Sequence, residues 1–216
     1  IFVELFNGLG VDLPLPTRIV IGLSHFIGSI YGGLIVVAAV GGAVALKTWY
    51  GTSQGRMAID RAILYIPVVG LLLRKIAVAR FTRTLGTLIS SGVPILESLD
   101  ITARTSGNAV VERAISQTRK AVEAGRSLVD PLKETDVFPG MVTQMIGVGE
   151  QTGAMDAMLQ KIADFYEDEV DAAVKDLLTA LEPIMILFLG IVVGGIVISM
   201  YLPLFSLIGK LAGGGH

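Results

Sequence analysis

Residues 154–208 constrain this chain more than any other stretch. They begin as AMDAMLQKIADFYEDEVDAAVKDLLTALE, amphipathic and acid-rich, and pass at Pro183 without a linker into PIMILFLGIVVGGIVISMYLPLFSLI. The 27 residues from Pro183 to Gly209 carry no formal charge. As a helix rising about 1.5 Å per residue they reach roughly 40 Å, enough to cross a hydrocarbon core of about 30 Å with some tilt. The first half predicts an apolar stripe of Met158, Ile162, Phe165, Tyr166, Val170, Val174, Leu177, Leu178 and Leu181, with acids opposite. A helix of a polar domain therefore joins a membrane span directly, and Pro183 is expected to start that span or act as a hinge that kinks the joint.

A second uncharged run, 28 residues long, extends from Ile19 to Leu46. It is long for one perpendicular helix, so residues 19–30, with Ser24, His25 and Ser29, are read as interfacial and residues 31–50 as crossing. Trp49 and Tyr50 then fall where an aromatic belt is expected. Gly28 with Gly32, and Gly190 with Gly194, give each span a GxxxG spacing suited to close helix packing, with tolerated glycine as the plain alternative. Lys47, Arg56, Arg61 and Lys175 lie near the inner ends of the spans, against Arg18 and Lys210 outside them. The positive-inside rule then puts the intervening residues in the cytoplasm.

The predicted organisation is an extracytoplasmic connector (1–18), an interfacial plus transmembrane helix (19–50), a cytoplasmic helical bundle (51–182), a transmembrane helix (183–208) and a tail (209–216). The connector is broken by Gly8, Gly10, Pro14 and Pro16 and is too acidic for a signal peptide. The chain opens on Ile1, and residues 1–6 read as the end of a preceding span. Absence of cysteine excludes disulfides and thiolate metal sites, and a net charge of −2 gives no general affinity for nucleic acid.

Between the spans, glycine and proline punctuate a run of helices. One around residues 60–65 meets Pro67 and Gly70. Residues 71–91 place Ile76, Phe81, Leu85, Leu88 and Ile89 on one face and Arg80, Arg83, Thr84 and Thr87 on the other, ending at Gly92. Pro94 opens residues 95–105; Asn108 caps residues 109–124, which stop at Gly125; Ser127 caps a short helix to Thr135; Pro139 opens the next and Gly153 closes it. The fold class is all-α, with about six antiparallel helices in the bundle. Charge is split within it: residues 47–126 hold twelve Lys/Arg against five Asp/Glu, a net of +7, and residues 127–182 hold three against twelve, a net of −9. The basic half either faces anionic headgroups or docks an oppositely charged surface.

No catalytic constellation assembles from these residues, so the chain is not read as an enzyme. His25 reads as an interfacial imidazole rather than an intramembrane proton site. Asp164, Glu167, Asp168, Glu169, Asp171 and Asp176 lack the Glu-x-x-His pairs of a di-iron bundle and any calcium loop, so they read as a solvated face. Residues 41–48, GGAVALKT, lack the glycine before lysine of a phosphate-binding loop. No cofactor is implied. In GEQTG (149–153), Thr152 is expected to cap the acidic helix and Glu150 to reach backbone amides or an arginine such as Arg80 or Arg83; contact with a partner is the rival role.

Several phrases resemble a known family. FTRTLGTLISSGVPILESLDIT (81–102), Gly107–Asn108, AGRSLVDPLKETDVFPGMV (124–142), GVGEQTGAMDAML (147–159), DFYEDEVD (164–171), LEPIMILFLGIVVGGIV and the connector LGVDLPLPT (9–17) occur in order. Together they resemble the inner-membrane platform proteins of type IV pilus and type II secretion machines, the pilus branch more closely. That family usually has serine where Thr152 stands. The resemblance implies a C-terminal half containing the second span, second cytoplasmic domain and third span of a longer chain. It implies a non-enzymatic role in a bacterial inner membrane. The partners would be a hexameric assembly or retraction ATPase, pilin, other inner-membrane assembly proteins, the lipid bilayer and further copies of the chain. Arg80, Arg83, Glu150 and Thr152 are the expected partner contacts, with Arg104, Arg113, Arg119 and Arg126 as exposed arginines for the motor. A transporter or channel subunit is the rival of another class, disfavoured because the spans carry no ionisable residue besides His25.

Overall fold

The computed structural model describes Gly22 and residues 28–213. The connector and most of the interfacial segment, His25 included, lie outside the described residues. The described chain is all-α, with no strand. Its helices are α1 (Ile30–Tyr50), α2 (Ser53–Tyr65), α3 (Val69–Ser90), α4 (Ile95–Thr105), α5 (Ala109–Glu123), α6 (Val129–Lys133), α7 (Gly140–Thr152) and α8 (Met155–Gly213).

Helix boundaries follow local chemistry. Gly92, Gly107, Gly125 and Gly153, which follow α3, α4, α5 and α7, have φ between 71° and 81°, a left-handed conformation costly to any residue with a Cβ. Asn108 Oδ1 accepts the amides of Val110 and Val111, capping α5 as expected. Ser127 Oγ accepts the amide of Val129 at the start of α6. The start of α2 lies upstream of the expected one, at Ser53. Thr52 Oγ1 accepts the Gly55 amide at 3.1 Å and donates to the Trp49 carbonyl at 2.6 Å. Gly55 rests directly on that carbonyl, where a Cβ would collide, so a residue that looks like a helix breaker is required by the turn.

The described residues form two compact units, residues 47–177 and those before 47 together with those after 177. In the first, α2 to α7 and the opening of α8 surround a core centred on α3. Phe81, Leu85, Leu99, Ile115, Leu132, Ile146, Leu159 and Ile162 are fully buried, each contributing about 1.5–3 kcal/mol of apolar burial. The loop before α7 joins this core: Val137 and Phe138 are buried, and the Phe138 ring lies 4.8 Å from that of Phe81. The chain bends by 111° between α2 and α3, short of the reversal that strict antiparallel packing would require. The link is only residues 66–68, and it contains Pro67.

In the second unit, α1 and α8 are both long and apolar enough to cross a membrane. α8 is a single helix of 59 residues that passes through Pro183 without a break, so the direct join expected at Pro183 takes the form of one continuous helix. Gly28 precedes α1 in a turn with Ser29, so Gly28 and Gly32 do not share one helical face; glycine and serine favour that turn over a helix interior. Gly190 and Gly194 both lie in α8, and a Cβ on either would touch nothing else in the described chain.

The apolar stripe of α8 also differs from its expected course. Leu159, Ile162, Ala163 and Tyr166 are buried, whereas Phe165, Val174, Leu178 and Leu181 are exposed. Gly86 of α3 brings the neighbouring backbone close at Leu159, so that position joins the core.

Candidate functional site

Part of the charge asymmetry of the sequence is met along the seam between α3 and α8, through Lys75 and Arg83. Arg83 Nε donates to Glu167 Oε1 at 2.8 Å, while its Nη2 donates to Glu167 Oε2 at 2.6 Å and Asp164 Oδ1 at 2.5 Å. Eight residues earlier, Lys75 Nζ meets Glu169 Oε2 at 2.7 Å. Numbers rise along α3 as they fall along α8, so the helices run antiparallel. A basic face of the first half thus meets an acidic face of the second inside one chain. This is an outlet for the +7/−9 split that neither expected reading supplied, because residues about 84 positions apart are joined. The bidentate bond to Arg83 holds the Glu167 carboxyl below the usual carboxylate range, and Glu167 and then Asp164 raise the Arg83 pKa. Burial first, then the Glu169 charge, raises the Tyr166 phenol. These charged groups are a third to two-thirds exposed, so the pairs contribute under about 1 kcal/mol each and chiefly fix register.

Closeness at the seam comes from glycine. A Cβ on Gly86 would stand 3.1 Å from Leu159 Cβ. The same device recurs between α7 and α8, where a Cβ on Gly149 would lie 3.1 Å from Met155 Cα.

The glycine-bracketed segment 149–153, the last turn of α7 and its closing glycine, works differently from its expected form. Glu150 accepts Ser127 Oγ at 2.6 Å and the Leu128 amide at 3.2 Å, clamping α7 to the start of α6. It engages a backbone amide, as one expectation had it, but neither Arg80 nor Arg83. Thr152 Oγ1 donates to the Val148 carbonyl within α7, so the hydroxyl turns back instead of capping α8. Arg80 extends over Gly107, where a Cβ would lie 2.8 Å from its Nη1.

Arg104, Arg113 and Arg126 are exposed, with Arg104 paired to Asp100 and Arg126 to Glu134. Arg119 is half-buried: its Nε donates to the Leu96 carbonyl at 3.3 Å, tying α5 to α4. It is therefore less available than its place on an amphipathic helix implied. Arg113 joins Arg61 and Arg74 around a cavity of about 440 Å³.

One polar centre went unanticipated. Asp60 is 4% exposed, yet its Oδ2 accepts the Ala109 amide at 2.6 Å and its Oδ1 the Tyr50 hydroxyl at 3.1 Å. Arg56 stands 4.0 Å away and reaches Glu112 at 3.5 Å. In the sequence Asp60 is one acid among basic neighbours, and only its position four residues after Arg56 hinted at a partner. Among the described residues, no three His, Asp or Glu side chains converge as metal ligands.

These features define a class: an all-α protein with a helical bundle and two helices of membrane-spanning length, one of which is also a bundle helix. The chain belongs to the family described as type II secretion system protein F, whose family model matches residues 81–203. It is similar to the type IV pilus assembly protein PilC of Myxococcus xanthus, 52% identical over 212 residues, covering 98% of this chain and 50% of that protein. The PilC of Thermus thermophilus is 49% identical over 216 residues, 98% of this chain and 52% of the relative. The type II secretion system protein F of Pseudomonas aeruginosa is 36% identical over 205 residues, 95% and 50% respectively. The chain thus spans about half the length of the curated relatives it matches, and these pilus-assembly relatives are nearer than that secretion one.

Proposed function

We propose that this chain is the C-terminal half of a non-enzymatic inner-membrane platform protein of a type IV pilus machine. In this reading residues 51–182 are cytoplasmic and receive motion from a hexameric ATPase, and the apolar helices pass it to pilin entering or leaving the filament. The observation that carries the reading is α8, a continuous 59-residue helix whose start is locked to α3 and whose residues 183–209 carry no charge. A helix that stays continuous through Pro183, although proline donates no backbone bond there, transmits displacement along its axis, whereas a flexible linker absorbs it. The identity to proteins named for pilus assembly supports the pilus branch; the family description keeps type II secretion as the second reading.

For motor contact we retain Arg104 and Arg126, both exposed on the bundle. The unfilled Gly190 and Gly194 face suits a neighbouring span, in a further copy or in another inner-membrane assembly protein.

Two experiments on the full-length protein test this. A short Gly-Ser insert after Pro183 should abolish surface pili while the protein still reaches the membrane; normal piliation would refute rigid coupling. Co-purification with the assembly ATPase should weaken with salt and on the exchanges Arg104→Glu and Arg126→Glu. Unchanged binding would remove the motor from this face.

A further inference from the structure

The corner between α2 and α3 exposes a run of large apolar side chains outside both long apolar helices. Tyr65 is 77% exposed and Leu71 61%, with Ile66, Val68 and Val69 also exposed between them. Their backbone is ordered: the Ile66 amide donates to the Ile63 carbonyl, Gly70 to Ile66 at 2.7 Å and Leu72 to Val68. Gly70 sits against the Leu64 backbone so closely that no Cβ fits. The apolar groups are therefore displayed by a fixed turn.

Beside this corner is the 440 Å³ cavity lined by Arg61, Arg74 and Arg113 together with Tyr65. Arg56, Arg83, Arg104, Arg119 and Arg126 each have a carboxylate within 4.0 Å. Among the described residues, the three cavity arginines have none. Glu134 and Asp136 also line the cavity, but Glu134 is engaged by Arg126, so cationic charge is left in excess.

The seam supplies the direction. Lys75 pairs with Glu169, and α3 runs antiparallel to α8. The first turn of α3 therefore points to the pole where α8 leaves the bundle unit at Leu177. Beyond that point, α8 carries only Glu182 before its uncharged run.

From this placement we infer that the 65–71 corner is a membrane-surface anchor. Its apolar side chains enter the interface, and Arg61, Arg74 and Arg113 take the phosphate of an anionic phospholipid. Apolar insertion combined with clustered cations is the pattern that gives stable interfacial binding, each strengthening the other. Guanidinium suits the task because it binds phosphate through two parallel N–H donors. The inference concerns the lipid contact of the bundle and does not depend on any motor or pilin contact.

Because residues 1–216 contain no cysteine, cysteines introduced one at a time label single positions of this chain. Val68→Cys and, as a control at the far end of α3, Ser90→Cys would carry an environment-sensitive fluorophore in phosphatidylglycerol nanodiscs with spin-labelled lipid. The label at position 68 should shift to the blue and be quenched several-fold more than the label at 90. Arg61→Gln with Arg74→Gln should reduce that quenching about twofold. Equal, weak quenching at both positions would overturn the anchor. Quenching unchanged in phosphatidylcholine discs and by the arginine exchanges would overturn the anionic headgroup. A shielded label with no lipid quenching, but with cross-links between copies at position 68, would overturn it in favour of a copy-to-copy contact.

Discussion

Asp60 accepts the backbone amide of Ala109 at 2.6 Å, so a carboxylate on α2 completes the N-terminus of a helix that begins 49 residues later. Asn108 takes the next two amides, and the Tyr50 hydroxyl holds the other oxygen of Asp60. Three segments are thereby fixed by one buried anion at the positive end of α5.

Truncating that anion strands two donors. Asp60→Ala should lower stability by about 2–3 kcal/mol, and Tyr50→Phe by about 1 kcal/mol. Denaturant unfolding of the detergent-solubilised chain, followed by helical circular dichroism, measures both. An effect of Asp60→Ala as small as that of Tyr50→Phe would show that the amide bond contributes little.

Acid should loosen the α3–α8 seam. Arg83 holds Glu167 below its ordinary value, so the unfolded chain binds this proton more readily. The stabilisation is complete above the unfolded pKa of about 4.3 and is lost as pH falls through the lower folded value. Glu167→Gln should cost under about 1 kcal/mol at neutral pH, and the difference from the parent should vanish under acid. A difference that persists below that range would point to packing, not charge.

Gly86 sets the approach of α3 to α8. Gly86→Val should destabilise by about 1–3 kcal/mol through overpacking on Leu159. In Leu159→Gly, which removes the Cβ that would be touched, the same change should cost much less, giving a measurable coupling in a double-mutant cycle. Additive effects would refute the contact.

Phe138 lies in a loop yet is 6% exposed against Phe81. Phe138→Ala should cost about 3–5 kcal/mol, on the scale of a core aromatic. A surface-like loss below about 0.5 kcal/mol would show that this loop is dispensable to the bundle.

Much of the fold was legible because its signals are local. The glycines at 92, 107, 125 and 153 end helices through their own backbone freedom, and Asn108 caps through a side chain only two and three residues before the amides it meets. The uncharged run after Pro183 marks a span by length and composition alone. The 53–59 part of α2 was missed because Gly55 counts against a helix locally, while its reason, the Trp49 carbonyl, appears only once the turn has formed.

Sequence by itself therefore determined the helical class, most of the stops, the two apolar helices and the ordered motifs of the family. Tertiary structure alone decided where charge and polarity are used. It paired Arg83 with Glu167, buried Asp60 under Ala109, turned Thr152 back into α7 and ended the buried stripe of α8 near Tyr166. The physical reason is range. Capping and periodicity act within a turn or two of one helix, whereas ion pairs, buried carboxylates and close glycine contacts depend on which distant helix arrives beside them.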